Sequence, residues 1–158
     1  MTKMCSMSLL SVVLLGLTTA GWLSSTPNMT AKADIGEGPV EGKHRVVFEV
    51  TMEGPEQWTA ALNNVENLRK AFGADNTQVE VVGHSKGLGI MLSKNVELAD
   101  RMKKLSDGGV LFAACENSMR KKNVTKADLL PFVTTVDSGV AEVVRKQEAG
   151  WAYLKSVI

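Results

Sequence analysis

The stretch that decides the fold is GGVLFAACEN, Gly108 to Asn117, in which an apolar run changes abruptly to polar residues. An uninterrupted apolar run of this length after two glycines is typical of a β-strand buried on both faces. The polar and basic segment that follows, residues 116–123, is typical of a helix start. Cys115 is therefore predicted at a strand-to-helix junction, where chemistry collects in parallel α/β sheets and a helix N-terminus favours thiolate.

Towards the N-terminus, strand and helix patterns alternate. The β-branched run Arg45–Thr51 predicts a first strand, and Val79–Val82 predicts a second strand. Between them, apolar residues at three- and four-residue spacing predict one amphipathic helix that begins near Pro55 and ends at Gly73.

The same alternation continues towards the C-terminus. Residues 86–92 are interrupted by glycine and fit neither a helix nor a strand clearly. The elements predicted beyond them are a helix over Val96–Leu105, the strand ending at Cys115, at most about two helical turns between Thr125 and Pro131, a strand over Phe132–Val136, a helix ending at Gly150, and a strand over Tyr153–Ile158. This order predicts an α/β fold with a largely parallel sheet covered by helices on both faces.

The N-terminal segment differs from the rest of the chain. Lys3 precedes the mostly apolar stretch Met7–Leu17, and no acidic residue occurs before Asp34, an order typical of a secretory signal. The alternative is an uncleaved anchor, if a bilayer tolerates the Ser, Thr and Gly residues of Met7–Leu23. We therefore predict a signal peptide or N-terminal anchor plus linker over residues 1–33, a folded domain over 43–158, and a periplasmic or secreted location.

The composition limits the class of protein. With 158 residues, 44% apolar and 22% charged, the chain is typical of one globular domain. Its 18 basic and 17 acidic residues nearly balance, and loss of Lys3 and Lys32 with a leader would leave acidic residues in excess by one. This balance gives no support to nucleic-acid binding.

The chain has two cysteines, Cys5 in the predicted leader and Cys115. The exported domain would therefore carry one thiol and no internal disulfide framework. A lone thiol in an oxidising compartment is a candidate reactive group. It can equally be a buried side chain that serves as a small hydrophobe.

Three residues that carry chemistry fall at or just after the carboxyl end of a predicted strand, namely Glu53, His84 and Cys115. Adjacent strands lie about 4.8 Å apart, so His84 and Cys115 are predicted to lie close together if the second and third strands are neighbours. A Cys–His pair can generate a thiolate. Lys86 is a candidate for positive charge at the same edge, whereas one His and one Cys are too few ligands for zinc.

Four patterns follow one another in a characteristic order. They are Trp58-x-x-Ala61-Leu62-Asn63-Asn64-x-x-Asn67-Leu68, Val81-Val82-Gly83-His84, Gly109-Val110-x-Phe112-x-Ala114-Cys115-x-Asn117-Ser118, and a tail from Asp128-Leu129-Leu130-Pro131 to Gly150-Trp151-Ala152-Tyr153. Together they resemble the DsrE/DsrF-like sulfur-relay family over residues 45–153.

The resemblance implies a three-layer α/β/α domain with a mostly parallel five-stranded sheet, commonly assembled into trimers or hexamers. In the intracellular members, a cysteine equivalent in motif to Cys115 accepts sulfur and cycles between thiol and persulfide. The exported branch, which this chain resembles, is largely without an assigned activity. Two positions depart from the family: members often read His-Gly-Pro-Gly where this chain has residues 84–87, and a histidine is frequent where the first strand has Glu49.

We therefore hypothesise an exported sulfur carrier that forms a persulfide on Cys115, helped by His84, with no metal or organic cofactor. This is carrier chemistry more than turnover catalysis. Asn117 and Ser118 are predicted to donate hydrogen bonds to the anionic sulfur, and Lys86 to contribute to substrate binding.

The expected partners are small sulfur species, a sulfur donor or acceptor protein, and further copies of the chain. Nucleic acid is not expected, and a membrane is expected only if the N-terminal segment stays uncleaved. Two alternatives remain open. In the first alternative to the sulfur carrier, the protein is an oligomeric module that binds a small ligand or partner, and Cys115 is inert. In the second alternative, the Cys115 thiol senses oxidants.

Overall fold

The computed structural model describes residues 43–156. The predicted signal peptide or anchor, Cys5, the linker before residue 43 and the last two residues lie outside this range. Five strands form one sheet: β1 (His44–Val50), β2 (Thr77–Gly83), β3 (Leu111–Cys115), β4 (Thr134–Val136) and β5 (Ala152–Lys155). Every strand pair is parallel, and the strand order is β4-β3-β2-β1-β5.

Helices connect the strands. The α-helices are α1 (Pro55–Phe72), α2 (Val96–Asp107), α3 (Glu116–Lys121) and α4 (Gly139–Glu148). Short 3₁₀ helices cover Ala74–Asn76, Ser85–Met91 and Lys126–Asp128. The predicted α/β fold with helices on both faces of a parallel sheet is confirmed. Within residues 43–156, no helix is both long enough and apolar enough to cross a membrane.

The fourth strand begins at Thr134 instead of Phe132, and the fifth begins at Ala152 and ends at Lys155. Two connecting segments also differ from the sequence prediction or go beyond it. The helix expected after Thr125 is a single 3₁₀ turn, although the Thr125 and Asp128 side chains form the predicted capping box. Pro131 follows too closely for an α-helix to develop. The glycine-interrupted segment that the pattern left open is the 3₁₀ helix Ser85–Met91, whose Gly87 lies against β1. A Cβ at Gly87 would lie 2.0 Å from the carbonyl oxygen of Val50.

Alternation along the strands divides the core between the two faces of the sheet. On one face, Val46, Phe48, Val81 and Phe112 pack in the large cluster with apolar residues of α1 and α2. On the other face, the smaller cluster contains Val47, Val82, Ala113 and Val143, the last of which belongs to α4.

The smaller cluster determines where the polar residues lie. Glu49, His84 and Cys115 follow Val47, Val82 and Ala113 by two positions, so they extend the same face beyond the cluster, towards the carboxyl ends of the strands. The fold thus brings three chemically capable side chains to one edge, beneath the N-terminal end of α4.

A buried ion pair between Lys146 of α4 and Glu80 of β2 connects α4 to the sheet. The Lys146 ammonium lies 2.5 Å from a carboxylate oxygen of Glu80 in β2 and 3.5 Å from Glu142, and it stacks 4.4 Å above the Trp151 ring. Burial raises the pKa of Glu80, and the nearby Glu142 carboxylate adds to the rise, while Lys146 opposes it. Glu80 is 4% exposed, so its charge depends on Lys146 for compensation.

Candidate functional site

Cys115 is the last residue of β3 and directly precedes α3. Its side chain is buried, with 4% of the residue exposed, and it is the free cysteine among the described residues. Four hydrogen-bond donors lower the pKa of its thiol: the Ser118 hydroxyl and the backbone N–H groups of Gly139, Ser118 and Asn117. The site therefore combines the start of α3 with the start of α4.

These donors determine the acidity of the thiol. Burial raises the pKa of Cys115, but the hydrogen bonds from Ser118, Gly139 and Asn117 outweigh it, and the net result is a pKa below the ordinary value. The physical reason is that donors stabilise the anionic sulfur more than they stabilise the neutral thiol. The pocket is consequently suited to a thiolate.

The Ser118 hydroxyl is oriented by a bond on its other side. The backbone N–H of Ser85 donates to Ser118 Oγ at 2.9 Å, so the hydroxyl proton remains available for the Cys115 sulfur. Ser85 makes this bond from a left-handed conformation, with φ of 54°. Such a conformation is costly for a residue with a Cβ and persists where its surroundings hold it.

His84 lies at the end of β2, where it is 8% exposed. Its Nε2 lies 2.7 Å from Glu49 Oε1, and its Nδ1 lies 3.1 Å from Ser85 Oγ. Both ring nitrogens are thus occupied by partners other than Cys115. His84 therefore lies beside Cys115, but its ring nitrogens contact Ser85 and Glu49 and not the sulfur.

Gly139, the first residue of α4, is the point of contact between His84 and Cys115. A Cβ at this position would lie 2.9 Å from His84 Cβ and 3.2 Å from Cys115 Cβ. A residue with a side chain would push these elements apart. The absence of a side chain therefore lets the α4 backbone approach the sulfur closely enough for its N–H to donate.

Glu49 stands behind His84 and is held by Tyr153 of β5. Burial raises the pKa of Glu49, but hydrogen bonds from Tyr153 and His84, with the charges of His84 and Lys155, lower it below the ordinary value on balance. Burial and the same carboxylate raise the pKa of Tyr153 to about 12. Glu49 is accordingly an ionised carboxylate that accepts one hydrogen bond from His84 and one from Tyr153.

The remaining sequence-predicted residues lie in different places. Asn117 presents its backbone N–H to the sulfur, while its side-chain oxygen accepts from Arg120. Lys86 and Glu53 line a separate cavity of about 420 Å³, together with Trp58. The described residues in the wall of that cavity do not include the cysteine. The structure thus groups the cysteine, the histidine and Ser118, and it places Lys86 elsewhere.

Sequence reasoning missed Glu49, Tyr153 and Gly139 as members of this site. The sequence contained an indication for Glu49, because this carboxylate interrupts an apolar strand. A carboxylate that is buried in a sheet needs a hydrogen-bond partner. The position of Gly139 carried no such signal, since it depends on how α4 approaches β3. Between residues 43 and 156, no three His, Cys, Asp or Glu side chains converge to hold a metal ion.

Comparisons with known proteins agree with this architecture. The model of the DsrE/DsrF-like family matches residues 45–156. Among solved structures, the chain is similar to the protein of unknown function MTH1491 from Methanobacterium thermoautotrophicum, with 33% identity and a TM-score of 0.67 over 72% of this chain and 99% of that one. The YchN protein from E. coli has the same fold, with 12% identity and a TM-score of 0.54 over 72% and 98%. No curated protein matches the chain.

Proposed function

Because this chain belongs to the DsrE/DsrF-like family, we propose that it is a sulfur carrier that accepts a sulfane sulfur on Cys115 and holds it as a persulfide. The observation that carries the proposal is the set of hydrogen-bond donors around the Cys115 sulfur. An inert buried cysteine packs as a small hydrophobe among apolar groups. Here the Ser118 hydroxyl and three backbone N–H groups lower the pKa of the thiol, and the Gly139 backbone approaches so closely that a Cβ there would lie 3.2 Å from Cys115 Cβ.

The chemistry needs only the thiolate. With thiosulfate as donor, the Cys115 thiolate attacks the outer, sulfane sulfur. A new S–S bond forms on Cys115 as the S–S bond of thiosulfate breaks, and sulfite leaves with the electron pair of that bond. In the second half, an acceptor thiolate attacks the outer sulfur of the persulfide, and the Cys115 thiolate leaves. The same donors stabilise the sulfur as nucleophile and as leaving group.

Burial supports a small sulfur species as the immediate donor. Cys115 is 4% exposed, and the N-terminal end of α4 packs over it at Gly139. Thiosulfate or a short polysulfide needs little room to reach such a sulfur. A donor or acceptor protein would instead have to displace the start of α4.

The location and assembly of the carrier are further parts of the proposal. The order of Lys3 and the apolar stretch Met7–Leu17 supports export to the periplasm or the exterior. A homo-oligomer, trimer or hexamer, is supported by exposed apolar side chains on the α4 side of the sheet, namely Leu111, Val140 and Val144.

Mass spectrometry of the full chain tests the function. After exposure to thiosulfate or polysulfide, we expect the peptide that contains Cys115 to gain one sulfur atom that a reductant removes, and the same peptide of Cys115→Ser to gain none. The tryptic peptide 105–120 contains Cys115 and separates it from Cys5. If no adduct forms and the thiol alkylates only after unfolding, the carrier proposal is wrong and the inert cysteine is correct. Oxygen addition with peroxide that fragmentation of this peptide places on Cys115 and not on Met119, without sulfur addition, would identify an oxidant sensor instead.

A further inference from the structure

We propose that Glu49 is a positioning residue for Cys115, which acts through His84, Ser85 and Ser118 without touching the sulfur. The inference rests on the proposed function, in which the Cys115 thiolate is the reacting group. It assigns a role to the carboxylate that stands in β1 among Val and Phe residues.

The first step is the orientation of the His84 ring. Glu49 has 14% of its side chain exposed and accepts from the Tyr153 hydroxyl on Oε2. Its Oε1 lies 2.7 Å from His84 Nε2. An ionised carboxylate is only an acceptor, so this contact requires a proton on Nε2.

The oriented His84 ring then holds the Ser85 side chain. His84 Nδ1 lies 3.1 Å from Ser85 Oγ and hydrogen-bonds to it, as an acceptor in the neutral ring and as a donor in the imidazolium. This bond ties the Ser85 side chain to a ring that Glu49 has already fixed. Because Ser85 has a φ of 54°, its left-handed conformation needs such support.

Ser85 in turn orients the Ser118 hydroxyl, which acts on the Cys115 sulfur. In this conformation the Ser85 N–H points at Ser118 Oγ, 2.9 Å away, and occupies a lone pair of that oxygen. The Ser118 hydroxyl proton is left to the Cys115 sulfur. A disturbance at Glu49 is therefore transmitted to the thiolate through the orientation of one hydroxyl.

The experiment measures the apparent pKa of the Cys115 thiol in Glu49→Gln. The ultraviolet absorbance of the thiolate is titrated against pH, and the titration of the same protein carrying Cys115→Ser is subtracted. We expect the apparent pKa to rise by about half a unit, which lowers the thiolate fraction about threefold below the pKa. The matched control is Glu66→Gln, which removes an α1 carboxylate that lies 2.6 Å from Arg101 and belongs to the opposite layer. It should leave the thiol pKa unchanged.

A double-mutant cycle separates positioning from a general structural effect. If Glu49 acts through Ser118, adding Glu49→Gln to Ser118→Ala produces no further rise in the pKa of Cys115. Additive shifts, or a Glu49→Gln pKa equal to the wild-type value, would overturn the inference. Should Glu49→Gln fail to fold, Tyr153→Phe takes its place, because it removes one bond to the carboxylate and is expected to shift the pKa in the same direction by less.

The two proposals fail separately. If Glu49→Gln shifts the thiol pKa while the wild type takes up no sulfur, positioning stands and the carrier function is wrong. If the wild type takes up sulfur while Glu49→Gln matches it in thiol pKa and in the rate of sulfur uptake, the carrier function stands and positioning is wrong.

Discussion

Replacing Gly139 by alanine perturbs the site at its tightest contact. The new Cβ would lie 2.9 Å and 3.1 Å from His84 Cβ and Cδ2, and 3.2 Å from Cys115 Cβ. None of these atoms is the far end of a flexible side chain, so α4 or the strand ends must move. Overpacking of this kind costs about 1–3 kcal/mol. The better helix propensity of alanine returns about 1 kcal/mol at most. The clash outweighs this gain, and we expect a net loss of up to about 2 kcal/mol.

The same substitution should also change the thiol. Displacement of α4 carries the Gly139 N–H away from the sulfur, where it is one of the groups that lower the pKa of Cys115. The loss of one donor among four is expected to raise that pKa by about half a unit. Stability and thiol acidity should therefore change together.

Two measurements check this expectation. Urea denaturation gives the change in the free energy of unfolding, and titration of thiolate absorbance gives the pKa of Cys115. The control is Gly108→Ala, whose Cβ would meet only the end of the flexible Arg69 side chain. That variant should stay within about 0.5 kcal/mol of the wild type. A Gly139→Ala protein with wild-type stability and thiol pKa would refute the reasoning about this contact.

Two further predictions concern groups on the same side of the sheet. Ser118→Ala removes a donor to Cys115 and the acceptor of the Ser85 N–H, so the thiol pKa should rise by about one unit and the free energy of unfolding should fall by about 1–3 kcal/mol. An unchanged titration curve would contradict it. Lys146→Met leaves the Glu80 carboxylate buried without its partner, which should cost about 3–5 kcal/mol at neutral pH. Because burial raises the pKa of Glu80, this loss should shrink in acid as the carboxyl takes up its proton. Denaturation at neutral and acidic pH checks it, and a loss that is the same at both would argue against the ion pair.

The sequence was sufficient to predict the fold because the relevant signals are local. Apolar runs such as residues 110–114 identify buried strands, and three- and four-residue spacing identifies the helices. Strands that alternate with helices leave few topologies besides a parallel sheet. The sequence pattern did not predict the 3₁₀ helix Ser85–Met91. The conformation of this segment depends on the close approach of Gly87 to β1, which the local sequence does not reveal.

The site was predictable in part. His84 and Cys115 could be placed at one edge of the sheet because each lies at the end of a strand. This placement required β2 and β3 to be neighbours, and the two strands do pair. The environment of the sulfur was not predictable, because the donor from Gly139 comes from a segment 24 positions away that meets β3 only after α4 packs. Likewise, the contact of Tyr153 with Glu49 depends on β5 pairing beside β1.

The burial of Cys115 has a kinetic consequence. A thiol that is 4% exposed reacts with a bulky reagent only when the N-terminal end of α4 opens locally. At high reagent concentration, the rate of modification then stops rising and equals the opening rate. A small reagent that fits without opening shows no such ceiling. Reagents of graded size, applied to one sulfur, therefore measure how often the domain opens and how wide the opening is.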